Sequence, residues 1–435
     1  MNKLLNIIMI ILFLIIVIFT KSKLTIFLGL PILLLLIKLV DKIKIKNYLI
    51  FIFGLSLIIR IITLILLKVP VLDDYKTMLD AAISINNNDL SFLNDFYFKT
   101  FSYQLGFTIY ESILLNIINS ITFLQVINSI ITSLIVVMIY LIGKTISNEK
   151  SARVVSLLYL LYPYPLYLNN VLTNQHLSIL LVLVAIYLIL TKKELKYYIL
   201  SGLLLGLANI IRPDGIIIII SLIIYLLTFI KEKDFKLKLK QLSIIIITYL
   251  IIITSITNII KINYNSNLKN NSPLWKFYCG LNIKYNGMYN EYDQNIFFKS
   301  NNQKELLMSR IKTDYKKYPI LFVKKEVIEW SRTNFYIESN MSKFTYKIFE
   351  ILNLTIVFLV LLMFILELYK SINKKNDKAL LLKIILLIYF ISYLFIEVSP
   401  RYSYNLHIII FIIISNTINI LEEKEKIVRK KLKKQ

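Results

Sequence analysis

The chain has 435 residues, 57% of them hydrophobic, with a mean hydropathy of +0.68 and a formal net charge of +25. That apolar fraction excludes an ordinary soluble domain, and the lysines sit mostly in short hydrophilic breaks between apolar runs, which argues against nucleic acid as the partner of the positive charge. The single cysteine, Cys279, excludes an intrachain disulfide and a cysteine-based metal cluster, and two histidines, His176 and His407, exclude a histidine-rich site.

Apolar runs of about 17 to 25 residues suit a helix crossing the hydrocarbon layer at 1.5 Å per residue, so the pattern predicts an all-α polytopic membrane protein with twelve spans. Residues 1–47 form an N-terminal transmembrane hairpin with spans at 4–20 and 24–40. The first apolar run follows Lys3 as a signal peptide would, but no small-residue cleavage site precedes Lys21, so it is read as a span. Residues 48–262 form the main membrane module, with spans at 48–68, 123–143, 154–170, 172–190, 198–211, 215–230 and 242–262 and an external loop at 69–124. A polar, Asn- and Tyr-rich segment at 263–345 is an external cap, and its stretch Tyr315 to Trp330 has an interfacial-helix pattern. Residues 346–421 supply spans at 347–369, 382–397 and 402–420, and 422–435 form a basic cytoplasmic tail.

Charge parity tests this layout. The basic loops Asp41 to Lys46, Gly143 to Arg153, Lys192 to Lys196, Lys231 to Lys240 and Lys370 to Lys383, with the tail Glu422 to Gln435, all face the cytoplasm only if Gln104 to Ser120 does not cross. That segment places Phe107, Ile109, Tyr110, Ile113, Leu114 and Ile117 at helical spacing around Glu111, as an amphipathic helix in the interface would.

Four polar clusters then fall at the outer ends of the spans: Asp73-Asp74, the turn Asn169 to His176, Arg212-Pro213-Asp214, and Glu397 to Tyr402. Each has a local reading. Asp73 or Asp74 suits a helix N-cap, and Arg212 with Asp214, or Glu397 with Arg401, suits an interfacial ion pair of modest energy. Together they suit an anionic lipid headgroup, because arginine grips phosphate through a planar fork of donors while a carboxylate removes a proton from an incoming hydroxyl.

In order along residues 48 to 420, the segments PVLDDYKTMLDAA, FSYQLGFTIYESILLNIIN, LYPYPLYLNNVLTNQHLSILL, GLLLGLANIIRPDG, YCGLNIKYNGMYNEYD and EVSPRY resemble the bacterial polytopic glycosyltransferases of the GT-C type. Within that type the chain is most similar to family 39, the dolichyl-phosphate-mannose-protein mannosyltransferase-like enzymes, and their aminoarabinose-transferase relatives. The resemblance implies a sugar taken from a polyprenyl-phosphate donor at the outer face of the cytoplasmic membrane and passed, with inversion, to an acceptor glycan, lipid or protein. It also implies an essential acid in the first external loop, followed by juxtamembrane helices. Carried onto this chain, the acid is Asp74, with Asp73 as second choice, and Arg212 and Arg401 are candidates for the donor phosphate. Glu397, Tyr402, Gln175 and His176 are expected to shape the pocket.

The turn Thr173-Asn174-Gln175-His176 departs from relatives that carry a carboxylate there, so no metal or other cofactor is expected, a divalent ion on His176 being the alternative. The cap would choose the acceptor. Its Gly280-Leu281-Asn282 and Asn286-Gly287 turns, with Trp275, Tyr278, Tyr285, Tyr289 and Trp330, suit stacking on sugar or peptide, or a structural role. Two other classes share the polyprenyl-linked substrate. One is a flippase or secondary carrier, which the scarcity of midplane charges and the dissimilar halves disfavour. The other is an oligosaccharide polymerase, for which Arg310 and Arg332 are the candidate external arginines.

Overall fold

The computed structural model describes residues 2–20, 26–42, 45–229, 232–331, 341–374 and 377–432. Arg332, Lys44, Lys231 and the end of the basic tail lie outside the described residues. Within them, regular structure is helical throughout.

The first three predicted spans are α1 (Asn2–Phe19), α2 (Ile26–Lys42) and α3 (Tyr48–Leu66). The segment expected to be external folds as α4 (Asp73–Asn86), the short α5 (Phe96–Thr100) and α6 (Leu105–Ile117). The chain re-enters the bundle as α7 (Ile121–Ile146) and continues through α8 (Glu149–Leu160), α9 (Pro163–Leu168), α10 (Gln175–Thr191), α11 (Leu195–Ile211), α12 (Gly215–Phe229) and α13 (Glu232–Tyr264). The cap comprises α14 (Trp275–Gly280), α15 (Glu291–Lys299), α16 (Gln303–Asp314) and α17 (Tyr318–Ser331), and the bundle closes with α18 (Lys343–Ser371), α19 (Leu380–Phe395) and α20 (Ser403–Leu432). By length and composition α1, α3, α7, α18 and most of α13 suffice to cross a membrane, while α10, α11, α12 and α19 are shorter apolar helices.

α20 is the axis of the bundle. Ile408 to Ile414 are fully buried, and the helix packs against α7, α8 and α18. A helix apolar on every side belongs at the centre of a large core, and this one starts beside the cluster Glu397 to Tyr402.

Three sequence expectations change here. The fifth span, 154–170, is not one helix: α8 stops at Leu160, Tyr162 is extended (φ −76°, ψ 117°), and Pro163 opens α9. The proline ring disfavours helical backbone in the residue before it and suits the first position of a new helix. The basic loop 143–153 is largely helical, with Glu149 joining Lys144 (2.9 Å) and Arg153 (2.6 Å) across the turn. Finally, α6 buries Leu105, Phe107, Thr108, Glu111, Ser112 and Leu115, while Ile113 and Ile117 of the predicted apolar stripe are exposed.

The reason lies in small residues. A side chain at Gly106 would collide with the carbonyl of Ile210, so α6 lies directly on the end of α11, and Ser112 is joined to Asn86 of α4 by two hydrogen bonds, of 2.6 and 3.1 Å. Small residues permit close helix approach in a membrane setting, which leaves isoleucines to face acyl chains. Burial raises the Glu111 carboxyl well above its usual range. Within α3, Arg60 is a buried cation that donates to Ser56 Oγ (2.6 Å) and Thr132 Oγ1 (2.8 Å).

The cap has its own core around Trp275, Tyr278, Phe297, Leu307 and Leu321. Arg310 is consumed there: it forks onto buried Asp293 (2.7 and 3.0 Å) and lies 3.5 Å from the Tyr278 ring centroid. Tyr278 is therefore a core residue. Trp330 is also not a cap surface residue, being buried against Phe13 and His407.

Candidate active site

The chain leaves α3 extended, and Leu72, not an aspartate, is the N-cap of α4. Asp73 and Asp74 occupy the first helical turn without a side-chain cap bond, so the N-cap reading is replaced by a favourable position against the helix dipole. Asp73 has φ 49°, a left-handed conformation that aspartate tolerates better than most residues. Both carboxylates line the cleft, Asp73 exposed at its edge and Asp74 half-buried within it.

Asp74 Oδ2 meets Arg401 Nη2 at 3.3 Å, joining residues 327 positions apart. Arg401 Nη1 also donates to Tyr75 Oη (2.7 Å). The Tyr75 phenol, then Tyr402 and Asp74, hold the Arg401 proton more tightly than usual against the opposing effect of burial. The expected Glu397–Arg401 pair is thus absent among the described residues: Arg401 reaches across the cleft, and Glu397 lines it separately.

Arg212 ends α11 in extended backbone (φ −156°, ψ 141°). Its Nε lies 3.5 Å from Asp214 Oδ2, and Nη1 donates to Asn174 Oδ1 (3.3 Å). Asp214 is buried and accepts from Ser178 Oγ (2.9 Å) and Asn405 Nδ2 (3.3 Å). The local ion pair therefore exists, and it fixes Arg212 at the cleft wall. Burial alone would lower the Arg212 pKa, but Asp214, Tyr393 and Tyr402 outweigh it and keep the guanidinium charged.

Tyr402 is the hub. Its ring centroid lies 5.6 Å from the Arg212 guanidinium, 5.8 Å from Lys276 Nζ and 5.9 Å from the Arg401 guanidinium, and it stacks on Tyr393 at 5.2 Å. Lys276 is the residue that sequence reasoning missed. It donates to Tyr402 Oη (3.5 Å), and its carbonyl accepts from Glu397 N (2.9 Å). Asp73, Asp74, Arg212, Lys276, Glu397, Arg401 and Tyr402 all line one cleft of about 540 Å³. A second chamber of about 530 Å³ adjoins it and shares Arg212, Lys276 and Tyr402.

Gln175 and His176 do not line either chamber. Gln175 is buried and donates to the Arg401 carbonyl (2.9 Å). His176 is held between the Leu168 carbonyl (2.8 Å) and Tyr404 Oη (3.0 Å), which assigns its proton to Nε2 because the carbonyl can only accept. Both belong to the wall behind the site, while Thr173 and Asn174 of the same turn face the cleft.

A family model described as dolichyl-phosphate-mannose-protein mannosyltransferase matches residues 107–257. The Archaeoglobus fulgidus oligosaccharyltransferase, solved with a tethered acceptor peptide, superposes with a TM-score of 0.51 at 13% identity, over 88% of this chain and 51% of that one. The chain has a GT-C membrane glycosyltransferase fold. ArnT from Cupriavidus metallidurans, solved with undecaprenyl phosphate, gives a TM-score of 0.50 at 10% identity, over 86% of this chain and 61% of that one. The chain spans about half the length of the oligosaccharyltransferase, and no curated protein matches it by sequence.

In this GT-C fold the cap is sewn to the cleft by backbone contacts. Glu397 N bonds to Lys276 O, and Val398 N bonds to Gly287 O (2.8 Å). Gly280 has no room for a side chain, because a Cβ would strike the Ile396 carbonyl. Lys325 of α17 completes the seam by donating from Nζ to the carbonyls of Gly280 (3.1 Å), Leu394 (2.7 Å) and Ile396 (2.5 Å). Burial pulls its pKa down to about 8. Trp275 and Tyr289 are the two cap aromatics of the sequence analysis that reach the cleft.

Proposed function

We propose that the chain is an inverting glycosyltransferase that moves a sugar from a polyprenyl-phosphate carrier to a hydroxyl acceptor at the outer face of the cytoplasmic membrane. The observation that carries this reading is the wall shared by the two chambers, where Arg212 and Lys276 flank Tyr402 with Asp74 across the cleft. The second chamber adds Ile210, Ile217, Ile253 and Ile396, an apolar surface for a prenyl chain. A phosphate at the shared wall would meet charge-assisted donors, and its sugar would face Asp74.

The acceptor oxygen attacks the anomeric carbon from the side opposite the phosphate, and the bond from that carbon to the phosphate oxygen breaks. Asp74 takes the acceptor hydroxyl's proton. The leaving polyprenyl phosphate carries negative charge that Arg212 and Lys276 offset in a site of reduced dielectric. Arg401 and Tyr75 hold the Asp74 carboxylate in place.

Helix direction supports the outward orientation. α10 runs from Asn174 at the cleft to the basic break at 192–196, α11 returns to Arg212, α12 leaves toward 231–240, and α19 returns from 370–383 to Glu397. The basic loops thus gather at the end remote from the cleft, which the positive-inside rule assigns to the cytoplasm. The polymerase reading loses Arg310, which is committed to Asp293.

The test is reconstituted protein with polyprenyl-phosphate-linked radiolabelled hexose. Wild type should release sugar-free carrier and label an acceptor in membrane extracts. Intact carrier moved across the bilayer would indicate transport, and joined lipid-linked units would indicate polymerisation. Arg212→Ala, losing one charged hydrogen-bonding group, should weaken carrier retention about 10- to 100-fold at unchanged expression. If expression falls instead, the Arg212–Asp214 pair is structural only. With the phosphate charge offset by side chains, transfer should survive EDTA, and loss of label on chelation would overturn that assignment.

A further inference from the structure

The two chambers have different walls, and the difference bears on the acceptor. The chamber that holds Asp74 is lined by 21 residues, of which Met78 is the one aliphatic and nine are aromatic, in a chain that is 13% aromatic overall. Its neighbour instead carries isoleucines from α11, α12 and α13. The aromatics form two groups in ring contact. Phe96 meets Phe298 edge to face (4.8 Å), Phe298 meets Trp275 (5.3 Å), Trp275 meets Tyr289 (6.4 Å), and Phe101 meets Tyr103 (6.2 Å). The same cleft is lined by Asp73, Glu397, Gln104, Gln294 and Asn174. Asp73 and Glu397 form no ion pair among the described residues, so their oxygens are available as acceptors.

We infer that the acceptor bound in this cleft is a saccharide. The inference rests on the transferase reading and deepens it. A pyranose presents an apolar face of C–H bonds with slight positive charge, which suits the negative face of an aromatic ring, and a rim of hydroxyls that donate to carboxylates and exchange hydrogen bonds with amides. An alkyl-chain acceptor would bury its length against aliphatic side chains, which this chamber lacks. Among the described residues there is no strand edge to which an extended peptide could add. Phe96 and Tyr289 are 49% and 51% exposed, so truncating either removes a stacking face and leaves the fold's packing largely in place.

The experiment uses the full chain in nanodiscs and saturation-transfer NMR with four soluble probes: maltotriose, chitotriose, mannotriose and a serine- and threonine-containing hexapeptide. Ring protons of at least one trisaccharide should be saturated, and Phe96→Ala and Tyr289→Ala should each weaken that contact about tenfold, the worth of one good aromatic contact. Saturation of the hexapeptide with none of the sugars overturns the inference, as does sugar contact that persists in both variants. Undecaprenyl phosphate retention, read by native mass spectrometry, should be the same in wild type and both variants. Failure of wild type to retain it while sugar contact stays intact would sink the donor assignment and leave the saccharide site standing.

Discussion

Asp74→Asn is expected to lower sugar transfer about 10²- to 10⁴-fold, the range that a positioned general base contributes, with undecaprenyl phosphate still retained. The substitution keeps the shape of the side chain and the neutral part of its contact with Arg401, which remains bonded to Tyr75 at 2.7 Å. What it removes is the capacity to accept a proton. The Asp74–Arg401 contact is partly solvated and contributes little to stability, so thermal unfolding should move by less than the catalytic loss implies. Asp73→Asn supplies the control within the same turn. Asp73 lines the same cleft but is exposed, and the ion pair with Arg401 goes to Asp74, so its loss should cost a smaller factor. Label transfer by Asp74→Asn at the wild-type rate, or a greater loss with Asp73→Asn, would reverse the assignment of the base. The measurement is initial-rate transfer at saturating carrier, which separates the chemical step from donor binding.

The meeting of Asp74 with Arg401 is the part of the site most legible in the sequence. Charge parity, by keeping residues 104–120 from crossing, puts both at span ends on one expected side, and α6 packs against α4. The clusters at 212–214 and 397–402 were visible for the same reason: ionised groups beside apolar runs are costly unless they are paired or line a wet cavity. Lys276 was not legible. It is one of 51 basic residues, most of them in solvated breaks, and nothing in WKFYCG distinguishes a lysine beside a phenol from a lysine in water. His176 and Gln175 failed in the opposite sense. Polar residues in an external turn look accessible, but the Leu168 carbonyl and Tyr404 satisfy the histidine behind the wall, and partners so distant in sequence leave no local signal. The face of α6 was misjudged because apolar spacing marks a burial stripe in water, whereas in a membrane small residues face the protein and isoleucines face lipid. Trp330 and Tyr278 show the ambiguity of tyrosine and tryptophan in a cap: the same residue types build its packing and furnish its cleft.

Lys325→Met is the expected structural failure point of the site, and the change acts through position. In the wild type one ammonium donates to three carbonyls at the end of α19 and in the cap. Methionine fills similar volume but donates nothing, which leaves the carbonyls of Gly280, Leu394 and Ile396 without that partner at about 1–3 kcal/mol for each one left unsatisfied. Relief from burying an ammonium offsets part of this, so a net loss of about 2–4 kcal/mol is expected. The damage is local to the seam: Ile396 precedes Glu397, whose backbone N–H is bonded to Lys276, and Arg401 follows four residues later. Transfer should therefore fall even at temperatures where the variant remains folded. A pH series separates this role from generic destabilisation. The groups acting electrostatically on Lys325 are Glu326, Glu329, Cys279 and Glu397, and burial raises both Glu326 and Glu329. Burial holds the folded-state pKa of Lys325 at about 8 against an ordinary value of 10.5. Between those values the unfolded chain binds more protons at this position, so its contribution to stability rises with pH, and it is lost again as pH falls through 8. Thermal unfolding of the wild type from pH 8 to 10 should show that rise beyond whatever Lys325→Met shows. Equal slopes in the two proteins, or a variant that melts with the wild type and transfers sugar at its rate, would remove Lys325 as the residue that positions the Glu397 to Arg401 turn.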